Sequence, residues 1–176
     1  MKDYKLKLSA INLPLMIRTL ILLITLGFIA KSDAITVTTI DSGAKFSAAF
    51  SPHGDSLSLI LQGINLAHKT IDIAAYSFTS KPIAIALYAA FGRGVKVRVV
   101  ADARSNLGHS SVLLYLANHG AVVRLNNHYK IFHDKFMIID GTTLETGSFN
   151  YSAAAANNNV ENVLLLWNEA SPLISN

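Results

Sequence analysis

From residue 44 onward the chain alternates short apolar runs with segments whose apolar positions recur at helical spacing. Residues 45–50 read as a strand that stops at Ser51-Pro52. Asp55 or Ser56 then caps a helix to about 68, with Leu57, Ile60, Leu61, Ile64 and Leu66 largely on one side. Residues 70–78 (TIDIAAYSF) predict a strand, and Ser80 with Pro82 two positions later opens a helix that Gly92 and Gly94 end. Residues 95–101 alternate cleanly as a strand, 110–118 are helical up to Gly120, and 121–125 form another strand. Segments 132–139, 144–146 and 160–167 are strand-like with little helix between them. The expected fold class is α/β: a mixed β-sheet with helices on both faces, parallel in its first part and partly antiparallel in its last. Gly92-Arg93-Gly94 lacks a third glycine and precedes a strand, so it is a helix stop and not a nucleotide-binding turn.

The opening of the chain follows a different pattern. Lys2, Lys5, Lys7 and Arg18 precede an uncharged run over 19–30, and a short polar stretch ends at Ser32-Asp33-Ala34. Small residues at 32 and 34 fit a signal-peptidase cut, and twelve apolar residues fall short of the ~20 that cross a bilayer. Residues 1–34 are therefore expected to be a signal peptide. The mature chain would begin near Ile35, with a flexible lead-in to 43 and a catalytic domain over 35–176 in the periplasm or outside the cell. The alternative is an uncleaved membrane anchor over residues 8–30.

This division changes the charge argument. The chain has 15 basic and 11 acidic residues, but five of the former and two of the latter lie in 1–34. The remainder is nearly neutral, with a formal net charge of +1 from ten basic and nine acidic side chains. Overall basicity is thus no evidence of nucleic-acid binding, and any affinity for phosphate must come from a local site. There is no cysteine, which excludes disulfides, thiolate catalysis and cysteine-ligated zinc.

Chemistry concentrates in residues 133–150, HDKFMIIDGTTLETGSFN. His133 and Lys135 are two apart in a strand-like run, so both side chains leave one face. Ser148 and Asn150 are likewise two apart and follow Gly147, which permits a close backbone approach. Two such pairs on neighbouring strands gather an imidazole, an ammonium, a hydroxyl and a carboxamide. That set suits a phosphodiester: lysine and asparagine bind non-bridging oxygens, while histidine attacks phosphorus or moves a proton. Asp140 lies an odd seven positions from His133, faces the other way, and is read as structural.

His133, Lys135, Asp140, Gly147, Ser148 and Asn150, at this spacing, resemble the motif of the phospholipase D superfamily. The surrounding stretches SPHG (51–54), AYSFTS (75–80), RGVKVRVVAD (93–102), ETGSFNYS (145–152) and VENVLLLWN (160–168) resemble its small bacterial single-motif endonucleases. The resemblance implies that His133 is a nucleophile forming a phosphohistidine. Lys135 and Asn150 would hold the phosphate and Ser148 would assist. Glu161 would hydrogen-bond the second nitrogen of the catalytic histidine. No cofactor or metal is implied.

A histidine that has attacked phosphorus cannot also protonate the leaving oxygen. The small nucleases resolve this by dimerising, which implies a homodimer here with the site on its two-fold axis. They also continue beyond VENVLLLWN with a further helix, whereas only 169–176 follow here, so exposed apolar sheet surface or a weaker dimer is expected. His128-Tyr129-Lys130 repeats His-x-Lys, but position 135 is lysine where the motif needs aspartate, and His128 is read as a loop residue near the site. His53, His68, His109 and His119 lack partners at metal-ligand spacing. The expected substrate is DNA or RNA, with phospholipid as the alternative and an inactive membrane-tethered binding protein as a third reading.

Overall fold

The structure, a computed structural model, describes residues 43–168; the expected signal segment lies outside them. Seven strands form one sheet: β1 (Lys45–Ser51), β2 (Thr70–Ala75), β3 (Lys96–Asp102), β4 (Val122–Asn126), β5 (Lys135–Ile139), β6 (Thr143–Gly147) and β7 (Glu161–Trp167). Their order is β1-β7-β6-β5-β2-β3-β4. Strands β2, β3 and β4 are parallel, and the pairs from β2–β5 through β1–β7 are antiparallel. The mixed sheet follows the expected division, except that β1, first in the chain, lies at the antiparallel edge.

Five helices connect the strands: α1 (Ser56–Leu66), α2 (Lys81–Gly92), α3 (Ala103–Asn106), α4 (Leu113–Asn118) and α5 (Ala153–Asn157). Helix α2 starts where its sequence signals place it, with the Ser80 hydroxyl accepting from the Ile83 N–H and Pro82 in the first turn. Arg93, just past the end of α2, donates to the carbonyls of Ile64 and Ala67, which satisfies the C-terminus of α1.

The core lies between these helices and one face of the sheet. Ile71, Ile73, Val97, Val99, Met137, Ile139, Val163 and Leu165 point into it at alternate positions. Gly63 brings α1 so close that a Cβ there would sit 3.2 Å from Ile139 Cδ1 and 3.3 Å from Leu165 Cδ1. Helices on both faces were expected; among the described residues they cover one. The opposite face exposes Phe46, Phe50, Val100 and Val122, with Phe46 72% accessible. It also carries a forked ion pair in which Arg98 donates to Asp72 from Nε and Nη2 at 2.5 and 2.6 Å. No described helix is long and apolar enough to cross a membrane.

Two carboxyl groups are handled in opposite ways. Asp140, at a φ of 55°, closes β5 and accepts the N–H groups of His68, Lys69 and Thr70 at 2.7–2.8 Å. Burial opposes its charge, but the three donors outweigh that and hold the carboxyl below its ordinary range. Glu145 is buried on β6 and receives one hydrogen bond, from the Tyr151 hydroxyl at 2.7 Å. Desolvation pushes it from 4.5 up to about 8, against the smaller opposing effect of that bond.

Glu145 is therefore neutral in the fold at pH values where an unfolded chain ionises it. Its contribution to stability is complete below pH 4.5 and is lost as pH rises through about 8. The urea midpoint should fall between about pH 5 and pH 8 in the wild type and stay much flatter in Glu145→Gln. An equal slope in both proteins would mean that another group carries the effect.

Candidate active site

His133, Asp134, Lys135, Phe136, Thr146, Gly147, Ser148, Asn150 and Glu161 line one cavity of about 530 Å³. All five candidate catalytic residues are among them. Asp140 lies at the far end of β5, paired with backbone as described.

The local route to this arrangement differs from simple strand alternation. Strand β5 begins only at Lys135, because the Phe132 N–H is taken by Asp102 Oδ2 at 2.9 Å rather than by a neighbouring strand. His133 thus precedes the strand, and strand parity does not explain its shared cavity with Lys135. The link is a bond from Lys135 Nζ to the His133 carbonyl at 2.6 Å. On the other side alternation holds beyond the end of β6: Ser148 and Asn150 line the cavity, while Phe149 and Tyr151 enter the core.

Gly147 makes this turn possible. A Cβ there would fall 2.1 Å from the Asn162 carbonyl oxygen, a backbone atom with no room to yield. Ser148 is then locked to the start of β7. Its N–H donates to the Asn162 carbonyl at 3.1 Å, its hydroxyl accepts the Asn162 N–H at 3.1 Å, and the same hydroxyl donates to Glu161 Oε2 at 2.6 Å.

The second oxygen of Glu161 accepts from Asn159 Nδ2 at 3.0 Å. Within the chain no hydrogen bond joins Glu161 to His133, contrary to the contact expected from the resemblance. The His133 ring instead packs against Tyr76, with centroids 4.5 Å apart. Lys135 is buried, and desolvation lowers its pKa while Asp134 and Glu161 act to raise it. Asn150 Oδ1 is buried without a partner, a cost of about 1–3 kcal/mol of the kind that calls for a functional explanation.

The site has members that the motif did not indicate. Tyr76 faces both His133 and Lys135, whose Nζ lies 5.3 Å from the ring centroid. In the strand expected over 70–78 Tyr76 and Phe78 would share a face, but β2 ends at Ala75, and Phe78 is fully buried while Tyr76 is half-exposed. Asp102 and Asn106 hold the backbone around them. Tyr76 and Asp102 lie in two stretches that carry the family resemblance, though local pattern assigns neither a task. His128 is occupied with the neighbouring Tyr129 ring and does not line the cavity. No three His, Cys, Asp or Glu side chains are grouped for a metal ion among the described residues.

Comparison with known proteins agrees with this fold. The family described as cardiolipin synthase, PLD-like domain, matches residues 60–175. The chain belongs to the phospholipase D superfamily of phosphodiesterases. Among solved structures it is similar to Nuc from Salmonella typhimurium, a phospholipase D family member. The TM-score is 0.69 at 42% identity, covering 71% of this chain and 84% of that one. It is 36% identical to a phospholipase D of Rickettsia conorii over 71% of this chain and 62% of the relative. It is also 36% identical to the mitochondrial cardiolipin hydrolase of Homo sapiens, over 65% of this chain and 46% of that protein. The chain thus spans about half to three fifths of the length of these two relatives.

Substitution of Gly147 should separate its closeness from generic glycine effects. Gly147→Ala must push β6 from β7 beside Ser148, at a cost of about 1–3 kcal/mol or more, with loss of hydrolysis. Gly92→Ala, where nothing lies within 4 Å of the added carbon, should be neutral or slightly stabilising. Equal melting temperatures for the two variants would show that the approach at Gly147 is not needed.

Proposed function

We propose that the chain is an exported, metal-independent endonuclease that cuts DNA or RNA without sequence preference through a phosphohistidine intermediate. The observation that carries this reading is the single cavity joining His133, Lys135, Ser148 and Asn150. His133 attacks phosphorus, the phosphorus–oxygen bond to the leaving group breaks, and that oxygen departs with a proton. Water then attacks the phosphohistidine and frees the imidazole. Lys135 and Asn150 stabilise the non-bridging oxygens. Glu161 orients the Ser148 hydroxyl, which it already accepts. Similarity to Nuc and to the small single-motif nucleases supports nucleic acid as substrate.

The leaving oxygen needs an acid other than the attacking histidine, and among the described residues His133 is the one histidine lining the cavity. A second copy of the chain would supply another His133 across a two-fold axis, first as acid and then as base toward water. The basic and apolar pattern over 1–34 supports export.

A lipid phosphodiester is the second reading, favoured by the 36% identity to proteins named phospholipase D and cardiolipin hydrolase. The protein, purified and held in EDTA, should cleave plasmid DNA or RNA and a bis-aryl phosphodiester but leave phosphatidylcholine vesicles intact. Cleavage of the vesicles without cleavage of nucleic acid would transfer the assignment to lipid. Activity lost in EDTA and restored by magnesium would count against the mechanism.

Mixed dimers test the shared site. His133→Ala should lower activity by several orders of magnitude, because acid–base help worth about 10²–10⁴ and the covalent step vanish together. When wild-type and His133→Ala subunits are mixed, activity should fall as the square of the wild-type fraction. A linear fall would mean that each chain works alone.

A further inference from the structure

Resting on His133 as the nucleophile, we infer that Tyr76 is a positioning residue: its ring is the wall that sets the imidazole and confines the Lys135 ammonium beside it. Two contacts converge on this ring, and a third joins the two groups that make them. The His133 ring lies 4.5 Å away at 56°, Lys135 Nζ lies 5.3 Å from the centroid, and the same ammonium donates to the His133 carbonyl at 2.6 Å. The His133 side chain is otherwise exposed, and among the described residues it makes no hydrogen bond that would fix its rotamer. A half-buried aromatic face thus supplies the orientation that a hydrogen-bonded partner would otherwise give, and an ammonium near a ring face is attracted to it.

The wall is fixed in turn by one short turn, α3. Asn106, 6% exposed, donates from Nδ2 to the carbonyls of Tyr76 at 2.6 Å and Asp102 at 2.8 Å. Its Oδ1 accepts the Phe78 N–H at 2.9 Å. Asp102, which caps α3 by accepting the Ser105 N–H, also accepts the N–H of Phe132, the residue before His133. The backbones on both sides of the ring contact, at Tyr76 and at Phe132, are therefore tied to the same turn. The Tyr76 hydroxyl makes no hydrogen bond among the described residues, which assigns the task to the ring.

Three variants decide the matter. Tyr76→Leu should lower kcat for a bis-aryl phosphodiester by about ten- to a hundredfold, the scale expected when a reacting group is misplaced by about 1 Å. KM should stay within about threefold and melting temperature should hold, because the loss falls on the chemical step. Tyr76→Phe should keep kcat. In NMR spectra the His133 ring protons, identified by their absence in His133→Ala, should lose the ring-current displacement in Tyr76→Leu and keep it in Tyr76→Phe. An unchanged kcat or unmoved His133 signals in Tyr76→Leu would overturn the inference. So would a loss in Tyr76→Phe as large as in Tyr76→Leu. Full activity in His133→Ala would instead remove the nucleophile, and the inference with it.

Discussion

Lys135 begins β5, the first antiparallel neighbour of the parallel strands, and there it brings a positive charge to the edge of the core. Desolvation works against that charge, and a buried ammonium without partners is too costly to keep. Its partners come from separate parts of the chain: the His133 carbonyl just before β5, the Tyr76 ring after β2, and the field of Glu161 at the start of β7. Satisfying one cation therefore draws three segments to one point. The cavity is the space left between them.

Other polar groups in the core are arranged to hold shape at some expense of stability. Burying Glu145 carries a desolvation cost that its single bond from Tyr151 offsets only in part. It does fix Tyr151, whose carbonyl accepts from both Thr79 and Ser80 at 2.8 Å. That pins the end of the motif loop to the start of α2. Asp102 and Asn106 act in the same way on the opposite side of the cavity. The loop carrying Ser148 and Asn150 and the segment carrying His133 are thus each held by a buried polar pair.

The same pairs explain where the sequence was legible and where it was not. Regular alternation in 95–101 and the Ser80–Pro82 start needed only local rules, and β3 and α2 lie where those rules put them. The strand expected over 70–78 ends at Ala75 because Asn106 takes the Tyr76 carbonyl and the Phe78 N–H. The strand expected from 132 starts at Lys135 because Asp102 takes the Phe132 N–H. The helix expected from 110 starts at Leu113, with the Val112 N–H bound to the Phe78 carbonyl and the Leu113 N–H to the Ser111 hydroxyl. The first two shortfalls border the site and come from side chains remote in sequence, which no local pattern encodes. The motif residues were legible because their spacing is itself the signal. Tyr76 was not, since an aromatic at the end of a strand normally belongs to the core.

The depressed pKa of Lys135 also bears on how an anionic substrate is met. In the free chain Asp134 and Glu161 are the opposite charges that offset its desolvation, and Glu161 is already engaged by Ser148 and Asn159. A phosphodiester brought into the cavity adds a negative charge beside the ammonium, which favours its protonated form. Binding the diester and protonating Lys135 are therefore linked: each favours the other by the same free energy. The net charge of the domain beyond residue 34 is close to zero, so attraction for an anion is local to the cavity. Selection for a phosphodiester then rests on geometry, with the ammonium held by the His133 carbonyl beside the imidazole and Asn150 facing it across the cavity.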